Sequence, residues 1–479
     1  MHLLLLSLLA FSIPLHMRIA PVIIGLLLLN WLLGGQWKNK VIRLKDNPFA
    51  LLLAALYLYY VAGLLWTSNM DSGLQDIETK LSMLVLPLVI VSSPSLSRSA
   101  IHTILNGLVA GCVLSMLICI GHSVYSFYDE RWQVAHGLLH DTYTNVDFFF
   151  SSRLSVFAHP SYMAMFVNLA LLYLFYRLLS CGGKALPRAK KLLLVILNAC
   201  FSVFIFFLAS RMGMITLLLS WIGVIVFIVV KRKLFLWGAG TLILLIIGSW
   251  FLYTHSAIIA SRIDYALETL RSKKLDKTSS ESSAVRVLIW EQARKVIMYH
   301  PLQGAGTGDA KDELLERYRI EGMSGALEHN LNAHDQYYQT TIALGFPGGI
   351  LLLLAMFLPV FVPGKRDPLF LFFILLVSLN FLVESMLETQ AGVVFFAFFT
   401  SLLLAAEYSR RNGPMRIMIL TQYFPPEVGA PQNRLYELGV RLARKGAEVT
   451  VMTAMPNYPQ MQVRDAYRGK VYFFETMEK

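Results

Sequence analysis

Charged residues are scarce in this chain, and their scarcity excludes most soluble folds. Asp, Glu, Lys and Arg make up 15% of the 479 residues, whereas globular proteins usually carry about 25%. Hydrophobic residues make up 56%, and the mean hydropathy is +0.57. Because the water-exposed surface of several soluble domains cannot be built from so few charges, this composition predicts a membrane protein.

Acidic residues and cysteines are also few. The 30 acidic residues face 42 Lys and Arg, which leaves a net charge of +12. A nucleic-acid-binding face would need clustered cations, but these are dispersed in short loops between apolar runs. Cys112, Cys119, Cys181 and Cys200 lie within or at the ends of apolar runs, without CxxC spacing. The sequence therefore predicts no nucleic-acid partner, no disulfide framework and no metal site.

Apolar runs of about 17 to 25 residues, long enough to cross the hydrocarbon core, recur along the chain. The predicted spans lie near 2–14, 18–34, 48–66, 80–95, 101–124, 160–180, 190–209, 212–230, 234–254, 338–362, 368–384 and 390–407. The first and fourth are short. Because the first has neither a basic leader nor a small-residue cleavage site, we interpret it as a helix and not as a signal peptide.

Basic residues fall in every second loop between these spans, as the positive-inside rule requires. They occur near 38–45, 98, 184–191, 231–233, 365–366 and 410–411. The loop around Asp71, Asp76 and Glu78 is acidic. This pattern predicts about twelve helices with both termini in the cytoplasm, and it places two longer segments, about 125–158 and about 255–337, on the outer side.

Part of the second outer segment has the apolar spacing of an amphipathic helix over about 284–299, ending before a His-Pro pair. The residues of the apolar stripe are Val285, Leu288, Ile289, Ala293 and Val296. We expect this helix to lie on the membrane-facing surface of the bundle. The alternative is a helix packed inside an extracytoplasmic lid.

After Arg411 the composition becomes that of a soluble β-loop-α-β unit over 415–479. The stretch PPEVGAPQNR after its first strand resembles the start of a nucleotide-sugar glycosyltransferase with two Rossmann-like domains. About 65 residues of that family are present, and the donor-binding half is missing. We interpret 415–479 as an incomplete fragment without a nucleotide-sugar site, joined by fusion or read-through of a neighbouring reading frame that began at Met415.

Ionisable residues at the outer ends of the spans are functional candidates, because charge near membrane depth is costly. They are Arg211 in LASRMG, Arg286 at the start of the amphipathic helix, His334 beside Asp335 in NAHDQYYQ, and Glu384 with Glu388 in FLVESMLETQ. An arginine there either holds an anion or anchors at the interface. A lone histidine is more often structural. The two glutamates, one helical turn apart, either pair with Arg211 or Arg286 or take part in acid–base chemistry.

The glycine-rich run GAGTG at 304–308 carries no phosphate-loop prediction, because no strand precedes it. It is more typical of a tight turn.

Four motifs, in the expected order, resemble the O-antigen ligase family over about residues 1–410. His334-Asp335, then nine residues, then Gly345-Phe-Pro-Gly348 is similar to the family's His-Asn/Ser/Gln-x9-Gly-x-x-Gly signature, from which Asp335 departs. The other three are Ser210-Arg211-Met-Gly213, Phe157-Ala-His159-Pro160, and a helix with Arg286, Trp290 and Ala293 followed by His300-Pro301 and Gly304-x-Gly306.

The resemblance implies an all-α polytopic protein of the bacterial inner membrane, with a long periplasmic loop and a periplasmic active site. It implies metal-independent, inverting glycosyl transfer, without a cofactor, from an undecaprenyl-pyrophosphate-linked glycan to a hydroxyl acceptor such as lipid A-core. The implied roles are general base or pyrophosphate positioning for His334, pyrophosphate binding for Arg211 and Arg286, and support for Asp335, Glu384, Glu388, Gly345 and Gly348.

Two other functions stay open at this point. The family shares the signature region with O-antigen polymerases, whose acceptor is another lipid-linked repeat, although the His-to-glycine spacing favours a ligase. About twelve helices would also suit a lipid-linked oligosaccharide flippase or another transporter. A carrier should show related halves and polar groups near the bilayer midplane, whereas the charges here gather at one end of the spans.

Overall fold

The computed structural model divides the chain into two compact units, Met1–Glu407 and Tyr408–Lys479. The residues it describes are 1–94, 96–136, 147–179, 187–232, single positions at 240, 243, 247 and 254, then 277–278, 283–361, 367–411, 416–422, 430–444 and 448–453. The predicted span at 234–254 lies outside the described residues except for those four positions, and Met415 also lies outside them.

The described secondary structure from residue 1 to residue 411 is helical. The helices are α1 (His2–Ser12), α2 (Ala20–Leu33), α3 (Trp37–Asp46), α4 (Phe49–Gly63), α5 (Met70–Lys80), α6 (Ser82–Ser92), α7 (Arg98–Ala135), α8 (Ser151–Leu154), α9 (Pro160–Leu179), α10 (Arg188–Leu208), α11 (Arg211–Arg232), α12 (Ser283–Tyr299), α13 (Ala310–Glu321), α14 (Ser324–Glu328), α15 (Gln336–Phe361), α16 (Pro368–Phe381) and α17 (Gln390–Arg411). Short 3₁₀ turns at Met17–Ile19, Leu64–Trp66, Asp147–Phe149 and Met386–Glu388 join some of them.

Within the described residues, 5 helices are long and apolar enough to cross a membrane, or up to 6 if the bent pair Met17–Leu33 and Trp37–Asp46 counts as one span. The five are α4 with its 3₁₀ extension, α7, α9, α10 and α15. Shorter apolar helices are His2–Ser12, Arg211–Val226, Pro368–Phe381 and Gln390–Ala406. This architecture is consistent with the all-α membrane protein expected from the sequence, whereas the count of about twelve spans stays a prediction.

Helix α9 lies at the centre of the bundle, packed against α7, α10, α11 and α16. Every residue from Tyr162 to Phe175 is buried, because its side chains are apolar on all faces. The one amide in this stretch, Asn168, donates hydrogen bonds to Ala164 O at 2.9 Å and to Gly213 O at 3.1 Å. It thereby links α9 to the start of α11.

Helix α7 is longer than the predicted span, which was expected to end near residue 124. It continues to Ala135 through a polar stretch in which Gln133 Nε2 donates to Asp129 Oδ2 at 3.0 Å, one turn earlier. Because charged and amide side chains at this spacing are compatible with a helix in water, part of the expected outer loop is helical.

Helix α12 confirms the predicted amphipathic helix, but the expected location of its apolar face was wrong. Val285, Ile289, Ala293 and Val296 are at most 2% exposed, and α12 packs against α13 and α15. The stripe is therefore covered by protein, because α13 and α15 offer the apolar surface that we assigned to the membrane.

In the second unit, β1 (Arg416–Thr421) and β2 (Glu448–Thr453) pair in parallel, from Arg416 opposite Glu448 to Thr421 opposite Thr453. Between them in sequence lies α18 (Ala430–Arg444), which contacts β2. A parallel pair requires such a crossover. The interpretation of 415–479 as an incomplete glycosyltransferase fragment stays a prediction.

Candidate functional site

His334 lies in a turn immediately before α15. Its backbone is left-handed, with φ of 46°, which is uncommon for a residue other than glycine. Two side chains accept hydrogen bonds from the backbone of this turn. His334 N donates to Asn332 Oδ1 at 3.0 Å, and Ala333 N donates to Gln339 Oε1 at 3.2 Å. From α12, Trp290 Nε1 donates to Ala333 O at 3.1 Å. Helix α12 thus stabilises the peptide that precedes His334.

The carboxylate of Glu384 joins two side chains from other parts of the chain. Its Oε1 accepts a hydrogen bond from Arg286 Nη2 at 3.3 Å, and its Oε2 lies 3.5 Å from His334 Nδ1. The side chains of Arg286, His334 and Glu384 are 28%, 24% and 16% exposed, so solvent reaches all three. The ion pair between Glu384 and Arg286 confirms one of the pairings considered from the sequence. We call these three residues the triad.

The Glu384 carboxylate faces one ring nitrogen of His334, Nδ1, at 3.5 Å. Burial raises the pKa of Glu384, but His334 and Arg286 together outweigh burial and hold that pKa below its ordinary value. The carboxylate is therefore ionised at neutral pH. An ionised carboxylate facing Nδ1 favours the tautomer that carries its proton on Nδ1, which leaves Nε2 available as an acceptor.

A second charged cluster is centred on Lys80, which the sequence pattern did not single out. Its Nζ lies 2.9 Å from Asp76 Oδ2 and 3.1 Å from Glu388 Oε1, and its side chain is fully buried. The ammonium also lies 4.9 Å from the ring centroid of Tyr60. Burial raises the pKa of Glu388, against the opposing effect of the Lys80 ammonium. Glu388 therefore pairs with a lysine and not with either of the two arginines that we considered.

The two clusters share one short segment, between α16 and α17. We expected Glu384 and Glu388 one turn apart on a helix, but α16 ends at Phe381 and only Met386–Glu388 forms a 3₁₀ turn. Because the segment is bent here, the two carboxylates reach different partners. The triad and the Lys80 cluster are thus connected through about four residues of backbone.

Buried hydrogen bonds attach this segment to α15 and α4. Gln336 Oε1 accepts from Leu387 N at 2.6 Å, and Gln336 Nε2 donates to Thr340 Oγ1 at 3.0 Å. The hydroxyl of Tyr60 donates to the same Thr340 oxygen at 3.0 Å. Gln336 and Thr340 are completely buried. The backbone that carries Glu388 is therefore tied to the first turns of the helix that follows His334.

The sequence did contain a signal for Lys80. Asp76 and Lys80 are four residues apart, the spacing of an ion pair on one helix face, and Lys80 comes directly before an apolar run. A lysine at the edge of a span is usually interpreted as a loop cation, and with this interpretation we did not predict that Lys80 is buried.

Gly345 interrupts α15 beside the His-Pro segment. Its φ of 67° and ψ of −174° lie in a region open essentially to glycine alone. A Cβ at this position would lie 2.5 Å from Leu302 O, and Phe346 N donates to Pro301 O at 2.8 Å. At Gly348, in the next turn, a Cβ would lie 2.3 Å from Leu344 Cβ. Both glycines of the signature therefore serve the shape of the backbone.

The glycine-rich run at 304–308 forms a tight turn against the same break, as the sequence predicts. Gly304 and Gly306 have φ of 74° and 112°. Ala305 N donates to Ile342 O at 2.8 Å, and Gly306 N donates to Ala343 O at 3.1 Å. These bonds use the carbonyls that the break in α15 leaves without helical partners.

We expect Gly345→Ala to lower the free energy of unfolding by about 2–4 kcal/mol, because it adds both backbone strain and a clash with the Leu302 carbonyl. The measurement is denaturant or thermal unfolding of the purified protein in detergent. Gly121→Ala is the matched control, since no atom lies within 4 Å of a Cβ there. It should be neutral or slightly stabilising. Equal stability of the two variants would contradict a conformational role for Gly345.

Asp335 caps α15. Its Oδ1 accepts a hydrogen bond from Tyr338 N at 2.8 Å, the bond of a helix N-cap, and its side chain is buried. Burial raises the pKa of Asp335 to about 6, although hydrogen bonds from the backbone N–H groups of Tyr338 and Tyr337 act in the opposite direction. The structure therefore supports a helix-capping role, which an asparagine can also fill.

The raised pKa of Asp335 makes its effect on stability depend on pH. Its folded-state pKa of about 6 lies above the ordinary value of 3.8, so the wild type loses stability as pH rises between these values. Asp335→Asn lacks this loss. We expect the variant to be more stable than the wild type at pH 7, by on the order of 1–3 kcal/mol, and the difference to vanish toward pH ~4. Unfolding measured across this range tests the prediction, and a difference that does not change with pH would contradict it.

Arg211 is the first residue of α11. Ala209 before it is left-handed, with φ of 51°, and Ser210 Oγ accepts from Gly213 N at 3.2 Å, as an N-cap does. The start of α11 packs on α9 through the Asn168–Gly213 hydrogen bond at 3.1 Å. Arg211 is thus placed at the end of a helix that rests on the central α9.

The start of α9 lies next to both charged clusters. His159 lies close enough to Glu384 to contribute to the lowering of the pKa of that carboxyl. Tyr162, in the following turn, lies near Glu384 and Glu388. The structure therefore brings Arg286, His334 and Glu384 together, with His159 of the Phe-Ala-His-Pro motif nearby. Glu388 belongs instead to the Lys80 cluster. Arg211 begins the helix α11, which packs against α9.

The fold and the triad describe a helical membrane protein with a solvent-accessible charged site built from loops and helix ends. Residues 196–353 match the sequence model described as O-antigen ligase. The matched stretch contains Arg211, Arg286, His334 and both signature glycines, whereas Lys80, Glu384 and Glu388 lie outside it. No curated protein shows a significant match to the chain. Together with the apolar helices, the family match supports a multi-pass membrane protein with a glycosyl-transfer function in O-antigen or related polysaccharide biosynthesis.

Proposed function

We propose that this protein transfers a glycan from an undecaprenyl-pyrophosphate carrier to a hydroxyl acceptor, lipid A-core in the ligase reaction. The observation that carries the proposal is the meeting of Arg286, His334 and Glu384 at one accessible site. The three come from separate segments, and the first two lie within the stretch that matches the O-antigen ligase model. The alternation of loop charges supports a site on the periplasmic face of the bacterial inner membrane.

In this proposal, the guanidinium groups bind the pyrophosphate. When the bond between the anomeric carbon and the pyrophosphate oxygen breaks, negative charge develops on the leaving oxygen. Arg286 and Arg211 stabilise that charge, since a planar guanidinium binds two phosphate oxygens at once. Because these cations are built into the protein, the proposed mechanism is independent of a metal.

His334 removes the proton of the acceptor hydroxyl. Its Nδ1 is oriented by Glu384 and its Nε2 accepts the proton, while the acceptor oxygen forms a bond to the anomeric carbon. The 3.5 Å separation from Glu384 is longer than a strong hydrogen bond, as catalytic contacts often are before the substrate binds. Undecaprenyl pyrophosphate leaves from the opposite side of the sugar, so the anomeric configuration is inverted.

We assign the polyprenyl chain of the donor to an apolar cavity. It has a volume of about 630 Å³ and lies between α7, α8 and α10, with Phe150, Leu154, Phe204 and Phe207 among its lining residues. Phe207 lies near the end of α10, four residues before Arg211 in sequence. A hydrocarbon chain in this cavity would run toward the C-terminal end of α10, which is followed by Arg211.

A polymerase is the second candidate, since the matched family signature is shared by enzymes whose acceptor is a lipid-linked repeat. The deciding experiment uses the purified full chain in proteoliposomes with a defined lipid-linked glycan, and offers lipid A-core and a second lipid-linked glycan in separate reactions, without added metal or nucleotide. Transfer to lipid A-core identifies a ligase, and chain extension identifies a polymerase. Movement of the labelled lipid-linked glycan between leaflets without any transfer product would contradict glycosyl transfer and favour a transporter.

Arginine-to-lysine substitutions test the pyrophosphate contacts. We expect Arg211→Lys and Arg286→Lys to be nearly as damaging as the alanine variants, because the ammonium keeps the charge but loses the two-pronged geometry. Arg294→Lys, on the same helix as Arg286, is the matched control and should leave the initial transfer rate unchanged. Full activity of Arg211→Lys would assign Arg211 to interface anchoring.

A further inference from the structure

Helix α3 turns sharply away from the apolar helix before it. α2 ends near Gly34, and Gly35 and Gln36 both have left-handed backbones, with φ of 58° and 55°. The axes of the two helices differ by 116°. If α2 crosses the bilayer, a turn of this size places α3 close to the membrane plane.

The protein-facing side of α3 carries two cations, Lys40 and Arg43, beside Leu44, which packs against the core. Lys40 is only 7% exposed, and its Nζ lies 4.3 Å from the ring centroids of both Trp31 and Trp37. It donates to Trp31 O at 2.5 Å. Arg43 donates to Ser92 O at 3.1 Å, on α6. These contacts attach α3 to the ends of α2 and α6 through cations.

The opposite side of α3 exposes large apolar side chains. Val41 and Ile42 lie there and are 50% and 54% exposed, and Trp37, at the first position of the helix beside Lys40, is 51% exposed. Lys38 and Lys45 are exposed on the same side, seven residues apart, and so project in nearly the same direction. A helix in water buries its apolar residues and exposes its cations, whereas here apolar residues and lysines are exposed together. This combination is typical of a helix in the membrane interface, where apolar side chains enter the acyl boundary and lysines reach the headgroups.

We propose that α3 lies in the membrane interface and that Lys38 and Lys45 bind the phosphate of anionic phospholipids, with Trp37, Val41 and Ile42 seated among the upper acyl segments. Charge favours an anionic headgroup over a zwitterionic one, because two exposed lysines project from one side of the helix. The loop-charge pattern assigns this surface to the cytoplasmic leaflet, on the side of the membrane opposite the proposed transfer site. The interfacial position of α3 does not depend on the proposed function.

The test measures lipid selectivity of the full-length protein in proteoliposomes, by the fraction of spin-labelled phosphatidylglycerol that it immobilises relative to spin-labelled phosphatidylcholine. We expect the selectivity at the α3 site to fall about five-fold for each lysine removed, in Lys38→Gln and in Lys38→Gln/Lys45→Gln. The control is Lys190→Gln/Lys191→Gln, which removes two exposed lysines at the start of α10. An equal loss in the control would overturn a specific site on α3.

Two further measurements distinguish a phospholipid from free phosphate, and an interfacial helix from one in the bilayer core. Inorganic phosphate, added at constant ionic strength, should leave the selectivity unchanged, and abolition of the selectivity would identify a free-phosphate site instead. Quenching by brominated lipids, compared between the wild type and Trp37→Phe, reports the depth of Trp37. Stronger quenching by bromine near the headgroup supports an interfacial helix, whereas stronger quenching by bromine near the chain end would show that the bent pair enters the bilayer core and would overturn the proposal.

Discussion

His334→Gln should lower the initial rate of glycan transfer by about 10²- to 10⁴-fold while leaving membrane insertion and binding of the lipid-linked donor intact. A glutamine amide can donate a hydrogen bond toward Glu384, but it cannot accept a proton near neutral pH. His334→Ala should be similarly inactive. The rate is measured at several pH values with each purified variant in proteoliposomes.

The matched control is His329→Gln, five residues earlier on an exposed part of the same outer segment. It should transfer at the wild-type rate. Near-normal turnover by His334→Gln would reject proton removal by His334. Loss of the His334 variants from the membrane would instead assign His334 to folding, and the three hydrogen bonds of its turn make this distinction necessary.

Lys80→Met should destabilise the protein by about 3–5 kcal/mol, because it leaves the carboxylates of Asp76 and Glu388 close together without their shared cation. Unfolding in detergent, followed by loss of helical signal, measures the effect. Lys295→Met is the matched control: Lys295 also contacts two carboxylates, Glu291 at 3.6 Å and Glu321 at 2.7 Å, but its side chain is 39% exposed. Solvent screens an exposed pair of this kind, so Lys295→Met should be nearly as stable as the wild type.

A double variant separates the loss of an ion pair from the loss of packing. If the cost of Lys80→Met arises from a stranded carboxylate, then Lys80→Met/Glu388→Leu should recover a large part of it. No recovery would mean that Lys80 contributes through its contacts with Tyr60 and its surroundings. A Lys80→Met variant as stable as Lys295→Met would contradict the buried pairing itself.

Transfer activity should follow the same pattern as stability, since the segment that carries Glu388 also carries Glu384. A displaced 384–388 segment would move the carboxylate that orients His334. We therefore expect the Lys80 cluster to act on the proposed site by positioning Glu384, without contact with the substrate.

Helices were predicted well where a single local pattern decides them. Helix α12 follows from an apolar stripe at helical spacing, and the GAGTG turn follows from its glycines, because both depend on neighbours in the sequence. The length of α7 and the covering of α12 were not predicted, since each depends on what else packs at that place. A stripe of apolar residues shows that a face is buried, but not whether lipid or protein buries it.

By itself, the sequence determined that this is a membrane protein, approximately where its apolar helices lie, and which motifs mark the candidate site, because hydropathy and motif spacing are local properties of the chain. Only the tertiary structure decided the partners of the charges. Arg286 and Glu384 are 98 residues apart in sequence, and Lys80 and Glu388 are separated by most of the sequence of the first unit. The residues next to a carboxylate in sequence do not specify which cation it will pair with. The partner depends on the bend after α16 and on how α4, α5 and α15 pack around that bend. The site therefore became readable only when those segments were placed together.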